Sequence, residues 1–76
     1  MIADRTLGNR LKEVRTVRGL TQAELAERIG VSRKTVNTVE NGVFVPSTLL
    51  ALTIAAELKV NVEDMFYLEL NHNLRE

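Results

Sequence analysis

The sequence predicts an all-α domain of five short helices, and three features of the chain predict it. Helix start and stop signals recur at short intervals: Thr21, Ser32, Ser47 and Asn61 read as caps, and Gly19, Gly30 and Gly42 as stops. Between them, apolar residues return at steps of three and four. Residues that favour strands are sparse, because β-branched runs are short and the aromatics amount to two Phe and one Tyr.

Each helix has its own grounds. Leu7, Leu11, Val14 and Arg18 fall at i, i+4, i+7 and i+11, one face of a first helix that Gly19 ends. Thr21 caps the second, with Glu24 three residues on completing a capping box. This helix runs from Gln22 to Ile29, buries Leu25, Ala26 and Ile29, and stops at Gly30. Ser32 caps the third, which runs to about Asn41 with Gly42 behind it. Pro46 and Ser47 open the fourth, whose inner face is Leu50, Ala51, Ile54, Ala55 and Leu58. Asn61 caps a short fifth helix; Glu63 and Asp64 suit its first turn, and Val62, Met65 and Phe66 point inward. The ends admit two readings. "FYLEL" (66–70) alternates, with Phe66, Leu68 and Leu70 on one side, and "MIADRT" (1–6) could pair with it as a short β pair; the other reading is a frayed tail.

Seventy-six residues set the organisation as one domain (1–76), with a core over 7–66, a helix-turn-helix over 21–42 and a tail over 67–76. At 45% hydrophobic and 26% charged, the composition is globular rather than disordered. Cysteine is absent, so neither a disulfide framework nor a thiolate metal site is expected. The single histidine, His72, sits in the polar tail. No nucleophile with a base, phosphate-cradling glycine loop or metal-ligand cluster stands out, so an enzyme, a metal and a cofactor are not expected. No apolar run has membrane-spanning length and no signal peptide opens the chain, which makes a cytoplasmic protein the expectation. Net charge is zero, yet it is unevenly spread. Residues 1–42 hold eight Lys/Arg against five acids, and residues 43–76 hold two against five, so a polyanion would meet the N-terminal end.

Only Gly30–Ser32 separates the second helix from the third, and a turn that tight forces a large crossing angle, as in a helix-turn-helix. Ala26 is small where the helices would meet, Gly30 suits positive φ, and Val36 and Val39 supply an inner face. Glu40 lies on that inner side. Arg33, Lys34, Asn37, Thr38 and Asn41, related by steps of three and four, share the opposite one. On an isolated helix such a face is ordinary solvated surface. After a tight turn it matches the donors that read base edges in the major groove: Arg and Lys to guanine, Asn to adenine, Thr to the thymine methyl.

Residues 9–66, and most specifically "LTQAELAERIGVSRKTVNTVENG" (20–42), resemble the Cro/repressor-type (XRE) helix-turn-helix family. That resemblance implies a five-helix, lambda-repressor-like DNA-binding domain that acts as a homodimer on a double-stranded operator of two-fold symmetry. It implies that Gln22 contacts a phosphate through its amide and helix N-terminus, that Arg33, Lys34 and Thr38 read bases with Asn37 beside them, and that Asn41 contacts a phosphate. It also pairs Arg15 with Glu40. The residues themselves add that a carboxylate beside Val36 and Val39 is costly to bury unpaired, which makes Arg15 the expected partner unless Glu40 reaches solvent at the helix end. Three departures from the family pattern, at four positions, stand out. Lys34 stands where Gln is usual, which shifts the expected preference towards guanine. Val43 and Phe44 stand where many members carry Lys and an aromatic, and Lys59 stands at a commonly Gly helix end.

The function expected is a sequence-specific transcriptional regulator, a repressor by preference, with no small-molecule effector evident. The rival is a protein-interaction module, such as a toxin-pair antitoxin or a co-activator bridging domain, for which the tail is short and polar. A small domain has few phosphate contacts, and two reading helices one DNA turn apart make up the affinity. Leu49, Leu52 and Ala56 on the fourth helix, with Val17, Leu68 and Leu70, are candidates for the dimer surface, unless that helix is buried nearly all round.

Overall fold

In the computed structural model, which describes residues 5–70, the first and last described segments lie side by side. β1 (Arg5–Asn9) pairs antiparallel with β2 (Phe66–Leu70), with Leu7 opposite Leu68 and Asn9 opposite Phe66. Of the two readings of the ends, the β pair is the one formed. It takes in residues 67–70 of the expected tail, while residues 1–4 of "MIADRT" and His72 lie outside the described residues. Gly8 is required here: the Tyr67 ring lies directly over it where a Cβ would stand. The Arg10 guanidinium covers that ring at 4.3 Å from its centroid.

Between the strands run α1 (Leu11–Val17), α2 (Gln22–Ile29), α3 (Arg33–Glu40), α4 (Thr48–Leu58) and α5 (Val62–Met65). Leu11, Leu25, Ala26, Val36, Val39, Ile54, Ala55, Leu58, Met65 and Phe66 form one core drawn from every helix, with Leu7, Val14 and Ile29 against its edge. Burying each of the larger side chains contributes about 1.5–3 kcal/mol relative to exposure.

Leu7 corrects the expected first helix. It packs on the core from β1, not from α1, because the backbone is held extended up to residue 9. The Arg10 N–H donates to the Met65 carbonyl (2.8 Å) and the Asn9 Oδ1 accepts from the Leu11 N–H (3.0 Å), so the helix starts only at Leu11. Arg18, expected on that helix's apolar face, is exposed instead and its Nε donates to the Leu58 carbonyl (2.7 Å). There it satisfies an orphan carbonyl and complements the negative end of the α4 dipole. Asn61 precedes α5 as expected, but its side chain makes no capping bond. Lys59 holds φ at 59°, the left-handed conformation that glycine adopts without cost.

α4 is not buried all round. Leu49 and Leu52 are 77% and 51% exposed, and Ala56 continues their stripe on the solvent side.

Candidate nucleic-acid interface

The helix-turn-helix is set by bonds that span three or four residues. The Thr21 hydroxyl accepts the Glu24 N–H (3.0 Å), and the Glu24 carboxylate accepts the Thr21 N–H (2.8 Å), closing the capping box. Those bonds from the Thr21 backbone and then its hydroxyl, with the Arg28 charge nearby, hold the Glu24 pKa below the usual glutamate value, outweighing a small opposing effect of burial. α2 ends at Gly30 with φ 78°, whose N–H and that of Val31 both return to the Ala26 carbonyl. Two residues later the Ser32 hydroxyl accepts the Thr35 N–H (3.1 Å) and α3 begins. Ala26 (3% exposed) lets α3 approach closely, and Val36 and Val39 (each 1%) face the core from α3.

On the opposite side of α3, Arg33, Lys34 and Asn41 are exposed, and Asn37 and Thr38 are half-buried between them. Among the described residues the ion pairs are Arg15–Glu40 and Arg28–Glu57, so Arg33 and Lys34 carry unmatched positive charge. The Thr38 hydroxyl donates to the Thr35 carbonyl (3.0 Å), and its own carbonyl accepts the N–H groups of Val43 and Phe44. That arrangement ties the following loop to α3. It leaves a shallow hollow of about 340 Å³ between Lys34, Thr38, Val43 and Phe44. A second hollow, about 380 Å³, opens at the start of α2 between Arg15, Thr21, Gln22, Ala23 and Arg33. Helix geometry leaves the N–H groups of Gln22 and Ala23 without a carbonyl of their own helix, which makes that hollow a place for an anion.

Beneath the face lies a polar cluster. Arg15 Nε donates to Glu40 Oε2 (2.6 Å) and its Nη2 to Oε1 (3.3 Å), while Nη1 reaches the Leu20 carbonyl (2.7 Å). The two side chains are 11% and 3% exposed, so the ion pair read from the sequence is present and buried. The Gln22 side chain, expected to contact a phosphate, is bonded within this cluster. Its Nε2 donates to Glu40 Oε1 (2.9 Å) and its Oε1 accepts from Asn37 Nδ2 (3.5 Å), which leaves its backbone N–H as the freer group. Asn41, on the outside, donates from Nδ2 to Asn37 Oδ1 (3.2 Å).

Sequence reasoning missed Asn9, whose Nδ2 donates to the Val39 carbonyl (3.1 Å) while its Oδ1 starts α1. It fastens the last turn of α3 to the sheet. Its capping role two residues before an apolar run was visible in principle; its bond across 30 positions was not.

Among the described residues no group of three His, Cys, Asp or Glu gathers, and no helix is long and apolar enough to cross a membrane. A helix-turn-helix family model, HTH_3, matches residues 11–65. An uncharacterised HTH-type transcriptional regulator of Bacillus subtilis, YgzD, is 46% identical over 61 residues, covering 80% of this chain and 92% of its own. A second such regulator, MJ0272 of Methanocaldococcus jannaschii, is 44% identical over 61 residues with the same coverage of each chain. Among solved structures, the restriction-modification controller protein C.AhdI of Aeromonas hydrophila superposes with a TM-score of 0.69 at 36% identity, over 72% of this chain and 83% of that one. A protein of Bacteroides fragilis that carries a provisional DNA-binding description superposes at 0.75 with 26% identity, over 82% and 100%.

Proposed function

The chain belongs to the HTH_3 helix-turn-helix family of DNA-binding transcriptional regulators, and from that premise we propose that it represses transcription as a homodimer that lays α3 in the major groove of a two-fold symmetric operator. The observation that carries the proposal is the outward face of α3. Two cations unmatched among the described residues and two carboxamides stand on one side of a helix whose other side packs on the core through Val36 and Val39. In this reading Arg33 and Lys34 donate to guanine O6 and N7, Asn37 meets adenine, and the Thr38 methyl packs on thymine. Asn41 and the start of α2, with the N–H groups of Gln22 and Ala23, hold phosphates and set the register.

A homodimer is the economical way to reach specific affinity with so few cations, and α4 offers the surface. Its residues 48–56 carry no charge, and Leu49, Leu52 and Ala56 face solvent together. An uncharged stripe is self-complementary about a two-fold axis and is unsuited to DNA. Repression then needs no chemistry: a dimer occupying the promoter excludes the polymerase.

Selection of bound duplexes from a random pool tests the reading. The expected product is an inverted repeat with a guanine and an adenine in each half-site and half-site centres about one helical turn, roughly 34 Å, apart. A pool that returns unenriched, or a chain that selects a protein partner and no DNA, ends the proposal and favours an interaction module.

A further inference from the structure

We infer that Gln22 and Glu40 are positioning residues for base recognition: together they fix which way the Asn37 carboxamide faces, and so make Asn37 specific for adenine. The inference rests on the reading of α3 as the DNA-reading helix and adds to it the origin of one base preference.

The argument is one of donors and acceptors. Glu40 is a carboxylate, which only accepts. Its Oε2 already takes the Arg15 Nε–H and its Oε1 the Nη2–H, so the carboxylate is held in one orientation by its partner. Gln22 lies 2.9 Å from Oε1 and must therefore turn its NH2 towards Glu40, since its own oxygen there would put two acceptors in contact. That leaves the Gln22 Oε1 pointing up at the reading face, where it can only accept. Asn37 answers with its Nδ2, in the longest link of the chain at 3.5 Å. Its Oδ1 is then left on the outer side, where the Asn41 Nδ2 donates to it at 3.2 Å. Three carboxamides, each of which could be turned over when isolated, are set in sequence by one buried charge.

The free valences of Asn37 follow. One Nδ2 hydrogen and one Oδ1 lone pair remain, in an order that the chain beneath dictates. Adenine presents N7 as acceptor and N6–H as donor, the complement of that pair. A carboxamide turned over would exchange the two positions, and restoring the match would break its bonds to Gln22 and Asn41. The half-burial of Asn37 matters here, because the relay holds only where water does not replace its links.

The test uses the duplex that the wild-type chain enriches from a random pool, with base preference at every position read by competition against a library randomised in that site. Gln22→Met keeps the length of the side chain, leaves Arg15–Glu40 intact and removes the relay. The expected result is about a tenfold loss of adenine preference at the one base pair that Asn37→Ala also relaxes, with preferences at the guanine positions unchanged. In an Asn37→Ala background, Gln22→Met should do nothing further at that pair. Glu40→Gln should relax the same pair, since an amide satisfies Gln22 either way round, and Gln22→Met decides the matter should Glu40→Gln fail to fold. If Asn37→Ala relaxes one base pair and Gln22→Met weakens all sequences alike, the inference is overturned and Gln22 serves only to hold a phosphate. If Asn37→Ala relaxes no position, base reading by Asn37 fails and takes the inference with it.

Discussion

Replacing Arg15 with alanine should destabilise the domain by about 3 kcal/mol, the lower part of the range for stripping a buried carboxylate of its partner. The structure sets that value. Glu40 has a side chain only 3% exposed, and Arg15, at 11%, supplies two of its three hydrogen bonds. The Gln22 amide would remain as the sole donor, and the Leu20 carbonyl would lose the Arg15 Nη1–H as well. A domain of this size has roughly 4–11 kcal/mol in all, so the loss is a large fraction. Urea unfolding followed by far-UV circular dichroism measures it. With a slope near about 1 kcal/mol per molar for a small domain, the midpoint should fall by about 3 M, or the variant should be unfolded without denaturant. Adding Glu40→Gln should recover part of the loss, because an amide costs less to bury alone than a carboxylate. A loss below about 1 kcal/mol would refute the reasoning, since that is how a solvated surface pair behaves.

Four further outcomes follow from the same geometry. Arg33→Ala and Lys34→Ala should each cost about 1–3 kcal/mol at the selected operator and relax one base pair per half-site, while Asn41→Ala weakens all sequences alike at every pair except the one Asn37 reads; titration against matched and mismatched duplexes distinguishes the two patterns. Lys59→Gly should raise stability by up to about 1 kcal/mol in the same urea assay, since it relieves a left-handed backbone at φ 59°. Leu52→Asp, placed in the middle of the exposed α4 stripe, should leave the fold intact and convert a dimer into an 8.5 kDa species in sedimentation, whereas a wild-type chain that is itself that size would remove the dimer from the account. Glu24 has its folded pKa lowered, so its capping contribution is complete above the unfolded glutamate value and is lost as pH falls through the lower folded one. Glu24→Gln should therefore flatten the stability profile across that acid window, and a profile as steep as the wild type's would exclude the capping box as its cause.

The parts of the fold legible in the sequence are those whose bonds are local. Thr21 with Glu24, Ser32 with Thr35 and Ser47 with Leu50 each close within three residues, so the starts of α2, α3 and α4 can be read from neighbouring letters. The outward set on α3 was equally accessible, because helical spacing alone separates Arg33, Lys34, Asn37, Thr38 and Asn41 from Val36 and Val39. The pairing of Arg15 with Glu40 needed one more step, the physical cost of a lone carboxylate on an apolar face, together with the family likeness.

What the tertiary structure alone decided involves partners far apart in the chain. Leu7 stands at a helical interval from Leu11, yet it is extended, because the strand it belongs to is made by residues 66–70 and no local preference encodes that pairing. Nor could neighbouring letters reveal that Glu40, eighteen positions on, accepts from the Gln22 amide. The sequence of α4 is apolar on nearly every side, so periodicity could not say which face is covered. Packing against α2 and α5 buries Ile54, Ala55 and Leu58 and leaves Leu49, Leu52 and Ala56 in water. The sequence alone was enough for the helix-turn-helix and its outer face, since side-chain to backbone bonds act within a turn. The orientation of the amides on that face, and the stripe left open on α4, depend on which distant groups the folded chain brings within bonding distance.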